Sequence, residues 1–213
     1  GAIRLSSLYF LVDNSVAGSD SSMLGNQLAI EGPLTESLRL ELAAAYYDYS
    51  LRGLAGADAG DFRSNLIGLD GRYVSDFNLL DGIAALTYTG SGDRWPVRLS
   101  GEYVNNRGAR TPGDTAYSID LTAGRASQRG DWRLAYGYSV AEVDSVLAAF
   151  SHDNTSIATN YRQHSLSIAH VLLRNLILDA TLYHYRPFDA DFAGTNDPKD
   201  WLDRLRLNFL VSF

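Results

Sequence analysis

The stretch Leu205-Arg206-Leu207-Asn208-Phe209-Leu210-Val211-Ser212-Phe213 decides how the chain is read. Every second residue (Leu205, Leu207, Phe209, Val211, Phe213) is apolar, and Arg206, Asn208, Leu210 and Ser212 stand between them. Successive side chains of a strand point to opposite faces, so this spacing makes one greasy face and one wet face. The alternation recurs upstream. Leu38, Leu40, Leu42, Ala44 and Tyr46 stand against Arg39, Glu41, Ala43, Ala45 and Tyr47. Val97, Leu99, Gly101 and Tyr103 stand against Arg98, Ser100 and Glu102. The same holds for Tyr117, Ile119, Leu121 and Ala123 against Ser118, Asp120 and Thr122. It holds again around Trp132, Leu134, Tyr136 and Tyr138, and around Leu176, Leu178, Ala180 and Leu182.

Ten strands are expected, at about 2–12, 24–32, 37–49, 76–89, 96–106, 116–126, 131–140, 160–171, 175–186 and 202–213. Each is roughly 9–14 residues, longer than the common soluble strand of about 5–6. A tilted strand crosses a bilayer in about 9–11 residues. The connections 32–36, 90–95, 126–131 and 172–174 are short, and 13–23, 50–75, 107–115, 141–159 and 187–201 are long. Tight turns on one side and long loops on the other are the habit of a transmembrane barrel. Residues 62–74 (FRSNLIGLDGRYV) also have strand character. Counting them would make an eleventh strand and put a long loop among the tight turns, so they are assigned to an extended part of the 50–75 loop. The expected fold is all-β, an antiparallel up-and-down transmembrane β-barrel occupying residues 1–213 as one domain.

Composition narrows the classes. The chain has 213 residues, 46% hydrophobic and 20% charged, which suits a single folded domain. It contains no cysteine, which removes disulfides, thiolate nucleophiles and cysteine-ligated metals. A net charge of −7 argues against nucleic acid as a partner, because a general binder needs a basic face. No run of 18 apolar residues is present, so a transmembrane helix is not expected. Residue 1 is Gly, and no basic segment followed by an apolar one comes after it; a processed chain or a piece of a longer one is expected.

A soluble β-sandwich or lipocalin-like barrel would turn its alternating apolar faces toward each other, whereas a membrane barrel turns them toward lipid. Tyr46, Tyr88, Tyr103, Tyr117, Trp132 and Phe213 lie on the apolar face near strand ends, where a membrane barrel carries its interfacial aromatic girdle. Full closure leaves no unpaired backbone edge in lipid. The final strand ends flush with Phe213, and Leu207, Phe209, Val211 and Phe213 together read as a closing-strand signal.

Several stretches resemble a family of uncharacterised porins, β-barrels of Gram-negative outer membranes. They are LAAAYYDYS (42–50), DFNLLDGIAALTY (76–88), PVRLSGEYVNN (96–106), GDWRLAYGYSVAEVDSVLAAFSHDN (130–154) and DRLRLNFLVSF (203–213), about a third of the chain. The resemblance implies an outer-membrane, general-diffusion type of porin. Because members of that family are usually longer, it also implies that this chain is the C-terminal portion of a larger barrel, of about sixteen strands. Such a width matters: about eight strands give a lumen filled by side chains, and 16–18 leave an aqueous channel. The resemblance also places residue 213 at the periplasmic rim and the long loops outside.

The candidate functional residues are the charges on the wet face. Arg39, Arg98, Arg133, Arg204 and Arg206 balance Glu41, Asp81, Glu102, Asp120 and Asp179. Opposed cationic and anionic side chains lining a lumen create a transverse field that sorts solutes by charge and dipole. The bland reading is that they pair and fill the interior. The acids Asp144, Asp153, Asp189, Asp191, Asp197 and Asp200 read as solvated loop residues, since their spacing matches no calcium loop. Val143, Val146, Leu147 and Phe150 fall at helical spacing, so a short amphipathic helix within 141–151 is expected, packed on neighbouring loops or turned into the lumen. Of the four histidines, His164 and His170 share one strand face about 20 Å apart, and His184 lies near the end of the next strand. No phosphate loop, HExxH or GxSxG is present, so an enzyme is not expected, and neither is a cofactor or metal.

The expected function is passive diffusion of small hydrophilic solutes through an outer-membrane channel. The partners would be the lipid bilayer and lipopolysaccharide, with a homo-oligomer or envelope complex left open. The alternatives are a plugged barrel acting as a structural or scaffold subunit of an envelope assembly, and a soluble ligand-binding barrel.

Overall fold

The computed structural model describes residues 1–13, 20–51, 65–151, 154–193 and 200–212. Ten strands follow in order: β1 (Ala2–Asp13), β2 (Ser21–Pro33), β3 (Leu38–Ser50), β4 (Asn78–Tyr88), β5 (Val97–Asn106), β6 (Thr115–Gly124), β7 (Trp132–Ala141), β8 (Tyr161–Leu173), β9 (Leu176–Pro187) and β10 (Leu202–Val211). They form a single antiparallel sheet in the order β1 to β10, each strand paired with its neighbours in sequence. Among the described residues, helix is confined to two single 3-10 turns, Ala148–Phe150 and Ala190–Phe192. Tight turns and long connections alternate as the sequence requires. Residues 65–74 add only one isolated bridge, Ile67 to Tyr73, and contribute no eleventh strand.

Register fixes two faces. Leu99, Leu121, Tyr136, Leu166, Leu182 and Leu205 are successive partners across β5–β10. One residue away, Arg98, Thr122, Ala135, Ser167, Thr181 and Arg206 form the neighbouring row on the other face. The apolar face is uncovered along its middle rows: Ile119 is 54% exposed, Leu166 59% and Leu207 60%. Tyr46, Tyr88, Tyr103, Tyr117 and Trp132 are exposed on this same face. The buried cluster lies on the polar face, at the end where the long loops emerge. It joins Phe77, Leu79, Val104, Ala116, Leu147, Ile157, Tyr161 and Tyr185.

The sheet curls around one loop. Phe150, between β7 and β8, packs on Phe10 of β1 (ring centroids 5.8 Å) and Tyr49 of β3 (6.2 Å). Asn154, four residues on, accepts a hydrogen bond from Arg206 of β10. Nine strand spacings would hold the edges of a flat sheet about 43 Å apart, whereas four residues of chain span at most about 14 Å. Both edges therefore turn toward this loop.

The expected closure is not present: among the described residues β1 pairs only with β2, and β10 only with β9. The expected helix within 141–151 is not formed either. Val143 and Leu147 are buried and Val146 partly so, but the backbone makes only the 3-10 turn Ala148–Phe150. Tertiary hydrogen bonds win over helical spacing here. Asn65 Nδ2 donates to the carbonyls of Val143 (2.8 Å) and Val146 (2.9 Å), and Asn65 Oδ1 accepts from the Ala148 N–H (2.7 Å). Asp144, expected in solvent, is fully buried. It accepts from Ser75 Oγ (2.7 Å) and the Leu66 N–H (3.1 Å), which satisfies a carboxylate that would otherwise be costly to bury. Phe213, Asp153 and Asp197 lie outside the described residues, as does His152.

Candidate functional site

All ten wet-face residues share the polar face. β3 contributes Arg39 and Glu41, β4 Asp81, β5 Arg98 and Glu102, β6 Asp120, β7 Arg133, β9 Asp179, and β10 Arg204 and Arg206. Period-two alternation alone puts them there, because each is one residue from an apolar-face neighbour.

Ladder register then decides which of them meet. Arg98 makes a two-pronged pair with Glu41, Nη1 to Oε1 and Nη2 to Oε2 both at 2.8 Å, reaching across β4 between their strands. The planar guanidinium matches the carboxylate fork, so this pair is geometrically specific. Arg133 lies 3.6 Å from Asp179, which also accepts from Asn208 Nδ2 (3.1 Å). Arg206 donates through Nε to Asn208 Oδ1 (3.3 Å). Arg39 pairs with Glu31 of β2 (3.1 Å), a partner the spacing did not single out.

The remaining acids form a stripe instead of pairs. Asp81 is buried with Oδ1 lacking a hydrogen-bond partner, whereas Glu102 and Asp120 are exposed. Asp120 accepts from Ser118 Oγ (3.2 Å) and lies over Gly137, its register partner on β7. A Cβ at Gly137 would come within 2.5 Å of Asp120 Oδ1 and 2.7 Å of Ser165 Oγ, so a glycine is needed there. The acids thus occupy β4–β6, and Arg204 and Arg206 the inner side of edge strand β10. A cavity of about 370 Å³ lies under the β7–β8 loop, lined by Glu102, Ser118, Ser139, Phe150 and Tyr161 among others.

Three features were not legible in the spacing. Asp144 and Asn65 clasp two loops whose joined residues are 69 or more positions apart. His164 and His184 are register partners, with ring centroids 6.4 Å apart. Asp131, in the tight turn before β7, is a hub of the opposite end. It accepts from the Gln128 N–H (2.9 Å), from Arg94 Nε and Nη2 (both 2.8 Å) and from Ser127, and its carbonyl lies 3.0 Å from His170 Nδ1. The Gln128 N–H first, then the Arg94 guanidinium and Ser127, hold its carboxyl at about 2, against the opposing effect of burial.

Among the described residues, no group of three or more His, Asp or Glu is placed to hold a metal ion, and no helix is long and apolar enough to cross a membrane. No protein-family model matches the chain, and no curated protein matches it either.

Proposed function

We propose that this sheet is the wall of a β-barrel in a Gram-negative outer membrane, passing small hydrophilic solutes by diffusion. One observation carries the reading: a largely apolar face, whose leucines are bare of protein across adjacent strands, backs a face of arginines and carboxylates. Soluble proteins rarely expose apolar patches beyond a few hundred Å². Lipid contact accounts for leucines exposed across so many adjacent strands.

The same reading requires closure. Among the described residues β1 and β10 each carry an unpaired row of backbone groups, which hydrocarbon does not tolerate. The alternating turns make β1 and β10 antiparallel, so direct pairing would close a ten-stranded barrel. Additional strands between them would give the wider ring implied by the porin resemblance. In a ring of ten, β5 and β10 lie half a circumference apart, which sets Glu102 against Arg204 and Arg206 across the lumen. That arrangement is a transverse field, suited to sorting solutes by charge and dipole.

A second reading has its own support. The 65–77, 142–151 and 154–160 segments fold over the polar face, and Phe150 reaches Phe10 and Tyr49. A barrel plugged this way would serve as a structural or scaffold subunit of an envelope assembly. Planar-bilayer recording separates the two. Step conductances support the channel; an inserted but silent barrel supports the scaffold. A chain that stays monodisperse in water without detergent would remove both and leave a soluble ligand-binding barrel.

A further inference from the structure

Two arginines lie on the face where charge is least expected. Arg162 of β8 and Arg186 of β9 are direct register partners on the apolar face, at the long-loop end. Like charges directly opposite on neighbouring strands repel. Among the described residues no carboxylate lies within 4.0 Å of either guanidinium, and each Nε is buried without a hydrogen-bond partner. The carboxylates of neighbouring segments are engaged elsewhere. Glu142 accepts from the Thr115 N–H (2.9 Å), Asp189 from the Asp191 N–H (2.9 Å), and Asp203 pairs with His184 (2.7 Å).

Aromatic rings support both arginines from one side. The Arg162 guanidinium stands 5.1 Å from the Phe188 centroid, and that of Arg186 stands 5.0 Å from Trp201. Trp201 in turn stacks on His184 at 4.3 Å. Such stacking uses the flat face of a guanidinium and leaves its N–H edge directed elsewhere. Height along the strand is informative as well. One step below the arginines come His164 and His184, and one step below those Leu166 and Leu182. Each step is about 7 Å of strand. With the leucine row in hydrocarbon, the arginine pair falls at the headgroup level.

We propose that Arg162 and Arg186 together bind the phosphate of an anionic lipid headgroup in the leaflet on the long-loop side. This rests on the membrane-barrel reading above. A phosphate between two guanidinium groups removes their mutual repulsion and gives their terminal N–H groups an acceptor. Lipid would thereby be held against β8 and β9, beside the loop that covers the polar face.

The test uses the full chain folded in detergent micelles, with phosphatidic acid as probe and phosphatidylcholine as reference, read by native mass spectrometry. The Arg162→Gln/Arg186→Gln double variant is expected to bind phosphatidic acid at least about tenfold more weakly. Arg162→Lys/Arg186→Lys is expected to stay closer to the parent, and Arg129→Gln, in the tight turn before β7, to match it. If the double Gln variant does not fold, Arg186→Gln alone supplies the comparison. Equal binding by parent and Gln variants would overturn the site, as would complete displacement of the lipid by inorganic phosphate, which would indicate a free-anion site. Insertion of the parent into phosphatidylcholine vesicles is measured in parallel. Failure to insert overturns the barrel reading and this site with it, whereas normal insertion with equal binding overturns the site alone.

Discussion

The two faces of this sheet are one residue apart in sequence and differ in almost every other respect. Leu121 and Thr122 are neighbours on β6. Leu121 joins a row of leucines and Tyr136 with no protein over it, and Thr122 lies opposite Arg98 on the polar face. Away from the Arg162–Arg186 end, the apolar face is regular and bare. The polar face is irregular, ion-paired and covered at one end by loops. The contrast teaches that the strands supply a wall, while individuality, and any selectivity, resides on the polar side.

The sharpest way to break this contrast is to place the same charge on each face. Leu121→Arg should cost about 2–4 kcal/mol of insertion stability near the middle of a bilayer. Thr122→Arg, on the polar face, should cost well under half of that. Urea titration of the two variants in lipid vesicles makes the comparison, and equal costs would dissolve the distinction between faces. Next in size is the loop clasp on the polar face. Asp144→Ala leaves the Ser75 hydroxyl and the Leu66 N–H without their acceptor, a loss of about 1–3 kcal/mol. Protease should then cut within 65–77 and 142–160 sooner, with the ladder of β4–β9 unchanged by amide exchange. Loops that stay resistant would count against the clasp.

A smaller effect is expected at the tight-turn end. Asp131 is held at about 2, below the ordinary carboxylate value, so its stabilising contribution is complete above about pH 4 and is lost as pH falls through about 2. Amide exchange in 125–131 should accelerate across that window in the parent. Asp131→Asn should show fast exchange already at pH 5 and little further change. The smallest effect concerns selectivity. Arg98→Ala leaves Glu41 without its guanidinium partner, so reversal potentials should move modestly toward cations if the lumen conducts. An unchanged potential with intact conductance would place this pair outside the ion path.

Much of the fold was legible because strand formation is a local matter. The Leu205–Val211 alternation and its upstream copies located ten strands to within a few residues, and assigned Arg98, Asp120 and Asp179 to the face they occupy. Helical spacing misled in one place. Val143, Val146, Leu147 and Phe150 are periodic because they pack on a curved wall and its loops, not because the backbone is helical. Nothing near Asp144 in the chain marks it for burial, since its partners arrive from Asn65, Leu66 and Ser75.

The sequence by itself determined where the strands run, which residues lie on each face, and on which side the turns are tight. Period-two alternation is a property of each strand alone, and consecutive antiparallel pairing follows from the short turns. Only the tertiary structure decided that Arg98 takes Glu41, that Arg162 meets Arg186, that the β7–β8 loop lies across the polar face, and that β1 and β10 are not paired with each other among the described residues. Those outcomes depend on register between strands and on curvature of the whole sheet, which no single segment encodes.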